Sequence, residues 1–279
     1  MIDSHGLLIT MNSSDLPLDD PIRFGQTSLQ SRFLMGTAGY PSPQVLEHAI
    51  HTSQADVLTM GIKRQAANVS GAGGKTWWDL IRKTGKRILP NTAGCRTASE
   101  AVALAQMARE IFETNWVKLE VVGDDYTLQP DTFELVLAAQ QLVDLGFEIF
   151  PYCTEDIIVA QRLVDCGCRI LMPWAAPIGS GQGITNKDAL VRMRDRFPDI
   201  TLIVDAGIGA PSHAALAMEI GFDGVLLNSA IAQATDPIMM AAAFRDAIRA
   251  GRAGYRAGII TPQPFATAST PVTGQPFTL

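Results

Sequence analysis

The feature that most constrains the fold is an alternation of strand-like and helix-like segments that repeats eight times. The strand-like runs are short and rich in Val, Ile, Leu and Phe, as strands covered on their outer face are. We predict strands at eight runs: Arg32–Thr37, Asp56–Ile62, Arg87–Thr92, Trp116–Val122, Phe147–Cys153, Arg169–Ala175, Thr201–Gly207 and Gly224–Ala230. Eight such units predict a single-domain α/β fold of the (β/α)8 TIM-barrel type.

Helix signals stand between these runs. Thr97-Ala98-Ser99-Glu100 has the pattern of a capping box, in which Glu100 reaches back to the cap amide, and it precedes alanine-rich residues 101–111. Asp236-Pro237 places a capping acid before a proline at the first helical position, ahead of Ile238–Ala250. Helical spacing or a similar start signal predicts further helices at Asp131–Leu145, Asp156–Asp165 and Ala214–Ile220.

A doubly wound open sheet is the alternative architecture. That fold places a glycine fingerprint for dinucleotides after its first strand. Gly36-Thr37-Ala38-Gly39-Tyr40, which follows the first predicted strand, does not match the fingerprint. We therefore predict the closed barrel.

Composition and charge exclude several classes of protein. Hydrophobic residues make up 47% of the 279 residues and charged residues 18%, which indicates a globular chain with a large core. The net charge of −6, without a basic run, argues against a nucleic-acid or anionic-membrane partner. No apolar run approaches the roughly 18 residues of a membrane span, and Gly6–Met11 is too short for a secretory signal. We expect a cytoplasmic protein.

The four cysteines are expected to be reduced, buried thiols in that compartment. They are Cys95, Cys153, Cys166 and Cys168. The spacing Cys166-Gly167-Cys168 is not that of a metal-binding pair, and we predict no metal site.

Three regions are expected along the chain. Residues 1–20, rich in Ser and Asp, form a flexible extension, and residues 21–252 form the catalytic barrel. Residues 253–279 contain Gly, Pro and Thr with little periodicity. We predict that this tail packs over the barrel or over a neighbouring subunit.

Polar side chains point into the predicted barrel. Because side chains alternate along a strand, Val117, Leu119 and Val121 should face the helices, and Lys118 and Glu120 the interior. The same alternation predicts that Val204, Ala206 and Leu227 face outwards and that Asn91, Asp205 and Asn228 face inwards with Leu89.

Buried charges are costly unless they are paired, and these lie near the carboxyl ends of strands, where barrel active sites are found. A desolvated lysine suits imine chemistry. The alternative is a structural ion pair in which a carboxylate only holds Lys118 in place.

Glycine-rich turns supply the second half of a candidate site. Gly179-Ser180-Gly181-Gln182-Gly183 follows the sixth strand, Gly207-Ile208-Gly209 the seventh, and Asn228-Ser229 ends the eighth. Backbone amides of such loops bind phosphate, most often after strands seven and eight of this fold. The residues alone thus indicate a phosphorylated small substrate and an imine-forming lysine, which fits class I aldolases and several ketose-phosphate enzymes equally well.

From about Pro21 onwards, the sequence resembles the bacterial thiazole synthase family, which builds the thiazole phosphate half of thiamin. The order and spacing of six segments carry the resemblance: 31–37 (SRFLMGT), 89–94 (LPNTAG), 114–120 (TNWVKLE), 177–183 (PIGSGQG), 204–209 (VDAGIG) and 225–228 (VLLN).

The resemblance implies a reaction and its participants. The family condenses 1-deoxy-D-xylulose 5-phosphate, dehydroglycine and sulfur, which arrives as a thiocarboxylate on a ubiquitin-like sulfur carrier protein. It implies that Lys118 forms the imine and that Glu120 and Asp205 move protons. Phosphate and sugar contacts fall on five residues: Gly179, Ala206, Gly207, Asn228 and Ser229.

The resemblance also implies a homo-oligomer, expected to be a tetramer, and no metal or redox cofactor. The enzyme that makes dehydroglycine, from tyrosine or from glycine, is a further candidate partner.

This chain departs from the family pattern at three places. The first loop lacks the usual lysine in Gly36-Thr37-Ala38-Gly39-Tyr40, Ser229 replaces the usual threonine but keeps a hydroxyl, and Trp174 is unusually bulky. The alternatives to a thiazole synthase are a class I aldolase acting on another ketose phosphate and a docking platform for the carrier without catalysis. Retention of Lys118, Glu120 and Asp205 together argues against the platform.

Overall fold

A closed barrel of eight parallel strands organises the structure. The computed structural model describes residues 20–62 and 79–269. The barrel strands are β3 (Phe33–Gly36), β4 (Val57–Gly61), β5 (Arg87–Asn91), β6 (Trp116–Leu119), β7 (Glu148–Cys153), β8 (Ile170–Pro173), β9 (Thr201–Asp205) and β10 (Gly224–Leu227). Each pairs with the next, and β10 closes the ring on β3 with Val225 opposite Phe33. The predicted (β/α)8 barrel and its eight strands are confirmed.

Helices follow the strands around the outside of the barrel. Those with both ends in the described ranges are α1 (Pro43–Ser53), α2 (Ala98–Phe112), α3 (Thr132–Asp144), α4 (Ile157–Asp165), α5 (Lys187–Arg196), α6 (Pro211–Glu219), α7 (Ser229–Ala232) and α8 (Pro237–Ala257). The predicted caps at Thr97 and Asp236 are confirmed, since both side chains accept hydrogen bonds from the first turn of their helices. Asp131 and Asp156, which begin predicted helical stretches, cap their helices in the same way. Glu100 accepts from the backbone N–H of Arg96, one residue before the cap, rather than from the cap amide.

The strands are shorter than the predicted runs, and one prediction is wrong at its end. β10 stops at Leu227, whereas the sequence predicts a strand that continues through residues 229–230. The backbone N–H groups of Ile231 and Ala232 both donate to the Asn228 carbonyl, which turns the chain into the short helix α7.

Alternation along the strands separates two apolar layers. Val117, Leu119 and Val204 lie in the cluster between the strands and helices, whereas Leu89 lies in the cluster inside the barrel, as predicted. Ala206 differs, because β9 ends at Asp205 and the alternation stops there. Ala206 adopts a left-handed backbone conformation with φ +61° and lines the cavity above the barrel.

A small hairpin that the sequence analysis did not predict closes the opposite end of the barrel. β1 (Ile22–Phe24) pairs antiparallel with β2 (Thr27–Leu29). The buried ring of Phe24 packs edge-on against Phe150 and Trp116, with ring centroids 5.0 and 5.6 Å apart. The hairpin therefore fills the amino-terminal mouth, which leaves the carboxyl-terminal mouth for ligands.

The chain ends extend from this body. Helix α8 continues to Ala257, beyond the expected start of the tail at residue 253, and residues 258–269 are exposed to solvent. The predicted extension at residues 1–19 and the last ten residues of the tail lie outside the described residues. Within the described ranges, no helix is both long and apolar enough to cross a membrane.

The four cysteines are free thiols. Cys95, Cys153 and Cys168 are buried, as predicted, whereas Cys166 is partly exposed. Burial raises the pKa of the Cys168 thiol to about 12 and also raises the pKa of Cys153. Since the thiolate is the reactive form of cysteine, burial makes both thiols poor nucleophiles.

Candidate active site

Lys118 lies between two carboxylates inside the barrel. Its Nζ is 2.5 Å from Asp205 Oδ2 and 3.0 Å from Glu120 Oε1. The three side chains are only 6%, 4% and 6% exposed, so the cluster is largely desolvated. β6 supplies Lys118, the residue after that strand supplies Glu120, and the last residue of β9 supplies Asp205. The structure thus brings together all three predicted catalytic residues.

The surroundings within the cluster raise the pKa values of both Lys118 and Asp205. Burial by itself would lower the pKa of Lys118, but the nearby charges of Asp205 and Glu120 outweigh it, so the pKa is raised. Burial also raises the pKa of Asp205, against the opposing effect of Lys118. A lysine must lose a proton before it attacks a carbonyl, and Asp205 is an adjacent carboxylate with increased proton affinity.

Neighbouring polar groups on β5 and after it fix the position of Glu120. The Asn91 amide donates to Glu120 Oε1 over 2.8 Å, and the Asn91 side-chain oxygen accepts from the Ala93 backbone N–H over 2.7 Å. The Thr92 hydroxyl donates to the Glu120 carbonyl and accepts from the Glu120 backbone N–H, each over 2.8 Å. The inward position of Asn91 was predicted, but the bonds of the Thr92 hydroxyl to the Glu120 backbone were not.

A cavity of about 890 Å³ opens above this cluster at the carboxyl ends of the strands. Its wall contains every predicted site residue: Lys118, Glu120, Gly179, Asp205, Ala206, Gly207, Asn228 and Ser229. The volume falls within the range of ordinary small-molecule sites. Arg96 and Asp125, which the sequence analysis did not single out, form an exposed ion pair on the wall of this cavity.

The glycine loops form one wall of the cavity by close backbone contact. A Cβ at Gly207 would lie 2.4 Å from the backbone nitrogen of Ala176, and one at Gly209 would lie 2.3 Å from the Gly181 carbonyl oxygen. The Gly183 N–H donates to the Gly207 carbonyl over 2.8 Å, which joins the loops after β8 and β9. A Cβ at Gly179 would lie 3.9 Å from Ser229 Oγ, so the predicted phosphate contacts border one another.

Asn228, for which a sugar contact is predicted, also holds two segments of the chain together. Its side-chain amide donates to the Ala38 carbonyl over 2.9 Å, and its side-chain oxygen accepts from the Ala38 N–H over 3.3 Å. Asn228 thereby ties the loop after β3 to the end of β10 while it lines the cavity.

Tyr152 is a further buried group that the sequence analysis missed. Its ring centroid lies 5.8 Å from Lys118 Nζ, and its side chain is 1% exposed. The strand alternation would have found it, since Tyr152 is two residues beyond the inward-facing Phe150 on β7.

The fold and its cavity first define a class. A closed (β/α)8 barrel with charged residues and a ligand-sized cavity at the carboxyl ends of its strands belongs to the barrel enzymes.

Comparison with known proteins then identifies the family. A model of the family described as thiazole biosynthesis protein ThiG matches residues 23–271. Thiazole synthase from Rhodopseudomonas palustris (strain BisB5) is 58% identical over 256 residues, covering 92% of this chain and 98% of the relative. Thiazole synthase from Bradyrhizobium sp. (strain ORS 278) is 57% identical over the same shares. The chain belongs to the ThiG family, and the resemblance predicted from the sequence is confirmed.

A solved structure agrees with this assignment. One chain of the Amycolatopsis orientalis BexX/CysO complex superposes with a TM-score of 0.78 at 31% identity. The match covers 90% of this chain and 100% of that chain.

Proposed function

We propose that the protein is a thiazole synthase of thiamin biosynthesis, in which Lys118 forms an imine with 1-deoxy-D-xylulose 5-phosphate. The observation that carries the proposal is the buried Lys118 between Glu120 and Asp205, below a cavity with glycine loops, in a chain of the ThiG family. The ketone of the sugar then has an amine beneath it, and its phosphate has the loops at Gly179 and Gly207 beside it.

The proposed imine chemistry requires proton transfers, which the two carboxylates perform. Asp205 accepts a proton from the Lys118 ammonium, and the amine attacks the ketone to form an imine and water. The protonated imine withdraws electrons and acidifies the neighbouring carbon, so a carboxylate can move the protons that shift the ketone along the sugar. The carrier thiocarboxylate then supplies sulfur to the sugar, and dehydroglycine completes the ring.

A sulfur carrier is the proposed protein partner. The support is that a chain 31% identical to this one forms a complex with the protein CysO. A homotetramer and a cytoplasmic location belong to the same proposal, and the dehydroglycine-producing enzyme is a further proposed partner.

Trapping the imine tests the catalytic assignment. The protein is incubated with 1-deoxy-D-xylulose 5-phosphate, reduced with borohydride and digested for peptide mass spectrometry. We expect the adduct on Lys118. We expect none on Lys86, whose ammonium is paired with Asp56. Lys118→Arg is the matched control, because it keeps the cation between the carboxylates but cannot form an imine.

The outcomes separate the proposal from its alternatives. An adduct on another lysine, or none, would overturn the role of Lys118. Thiazole formation that depends on the carrier thiocarboxylate supports the synthase, whereas cleavage of the sugar into smaller carbonyl fragments without a carrier would indicate an aldolase.

A further inference from the structure

Tyr152 places an unpartnered hydroxyl against the lysine cluster. Three buried side-chain hydroxyls in the described part of the chain have no hydrogen-bond partner, at Tyr40, Thr59 and Tyr152. Among them, Tyr152 has its ring against Lys118, with the ammonium 5.8 Å from the ring centroid. A buried donor without a partner is destabilising, so its retention beside reacting groups calls for a reason.

The phenol is available as a donor throughout the working pH range. Burial, followed by the charges of Asp205, Glu120 and Cys153, raises its pKa. The charged or titratable groups that face it are thus Lys118 and Glu120 from β6 and its end, Asp205 from β9, and Cys153 on its own strand. Because the hydroxyl has no partner in the structure, the ring or a carboxylate must shift before the protonated phenol donates to one of them.

Imine formation changes the number of donors in the cluster. The ammonium of Lys118 has three N–H groups and now serves both Asp205 and Glu120. When the ammonium condenses with a ketone, the products are a protonated imine and water, so two of the three protons leave with the water. The single remaining N–H serves one carboxylate only.

The carboxylate that loses the ammonium keeps a single known donor. Glu120 retains the Asn91 amide over 2.8 Å, and Asp205 retains the backbone N–H of Ala206. A buried carboxylate with one donor is poorly stabilised as an anion.

We propose that the Tyr152 hydroxyl is a positioning donor that bonds to the carboxylate released when Lys118 becomes an imine. This inference rests on the proposed function and adds a residue to it. Tyr152 would keep that carboxylate ionised at the stage at which it must accept a proton from the sugar.

The proposal predicts a change confined to the imine stage. In the free enzyme, Lys118 itself satisfies both carboxylates, so removal of the phenol hydroxyl leaves their proton affinity unchanged. In the imine, removal of the hydroxyl raises the pKa of the released carboxylate. The pH profile of kcat reports the substrate complex, so its acid limb moves to higher pH. The profile of kcat/KM reports the free enzyme, so its acid limb stays in place.

The experiment measures exchange of solvent deuterium into the sugar carbon next to the imine, in Tyr152→Phe and wild type. We expect the acid limb of kcat for exchange to rise by about one pH unit, so that kcat at a pH on that limb falls about tenfold. Tyr40→Phe is the matched control, since it also removes an unpartnered buried hydroxyl, but from a ring packed against the outer apolar cluster. It should leave both profiles unchanged.

Each other result overturns the inference in a distinct way. If wild type traps the sugar on Lys118 and Tyr152→Phe exchanges as wild type does, the inference fails and the proposed function stands. If wild type gives neither adduct nor exchange, both fail. A Tyr152→Phe protein that does not fold contradicts the premise, because an unpartnered hydroxyl has no bond to lose.

Discussion

At the scale of single residues, the site depends on one cation shared by two acids. Lys118 is the cation that pairs with both Glu120 and Asp205 in this buried cluster. Loss of the cation would leave two like charges in a desolvated interior, which is far more costly than loss of an exposed pair. This is why Lys118→Arg, rather than Lys118→Ala, is the variant that separates chemistry from folding.

Gly207 provides the first prediction at this scale. Its φ of +72° is strained for any other residue, and a Cβ would lie 2.4 Å from the Ala176 backbone nitrogen. We expect Gly207→Ala to lower the free energy of unfolding by about 3–4 kcal/mol, from backbone strain plus overpacking. Thermal unfolding measures this loss, and the KM for the phosphorylated sugar should rise.

Gly85→Ala is the matched control for Gly207→Ala. Gly85 has a similar φ of +64°, but no neighbouring atom lies within 4 Å of the position that a Cβ would take, so only the backbone strain of about 1 kcal/mol applies. Equal losses in the two variants would show that the close approach of Gly207 to Ala176 adds nothing.

At the scale of elements, the strands were predictable from their β-rich runs, and in several of them a second signal, side-chain alternation, also separated the two faces. A β-rich run located each strand, and the alternation of side chains then placed Lys118, Asp205 and Asn91 inside. The glycine clusters after β8 and β9 were equally predictable. Gly179 and Gly207 adopt left-handed backbone conformations, which few residues other than glycine tolerate.

Other elements carry no such signal. The strands β1 and β2 have three residues each, too few to show alternation, and their pairing is fixed by packing of Phe24 against Phe150. Helix α7 has four residues and begins where a strand was expected. The bond of Asn228 to Ala38 joins positions 190 residues apart, and only the closed barrel brings them together.

Asp20 provides a prediction about how these elements are held together. It precedes β1, and its carboxylate pairs with Arg32 before β3 over 3.0 Å and with Arg252 on α8 over 2.5 Å. The hydrogen bond from Arg252 is the largest cause that lowers the pKa of Asp20. A carboxyl with a lowered folded pKa stabilises the protein above its unfolded pKa, near 3.9, and this contribution is lost as pH falls through the folded value.

We therefore expect Asp20→Asn to lower the free energy of unfolding by about 1 kcal/mol at pH 7, a modest value because solvent reaches the pair. Thermal or urea unfolding of both proteins from pH 7 to pH 2 measures the difference. The two curves should converge at acid pH, where wild-type Asp20 is protonated. A constant difference across the range would contradict the electrostatic role of Asp20.

At the scale of the whole molecule, three adjacent helices expose apolar side chains. Phe133 and Leu137 on α3 are 80% and 50% exposed, and Met107 on α2 and Ile158 on α4 flank them. The helices α2, α3 and α4 pack side by side, so these residues share one side of the barrel. Apolar side chains exposed on neighbouring helices are candidates for contact with another protein, and most contacts in homo-oligomers join the same surface of two subunits.

Phe133→Lys tests whether this side of the barrel joins subunits. An ammonium in a desolvated interface lacks a partner, so we expect the subunit dissociation constant to rise at least about tenfold in sedimentation experiments. Met239→Lys is the matched control, because Met239 on α8 is 69% exposed but lies on another helix. It should assemble as wild type does. If Phe133→Lys also assembles normally, the subunit contacts lie elsewhere. The segment at residues 258–269 is then the next surface to vary, because Ile260 and Phe265 are each 85% exposed there.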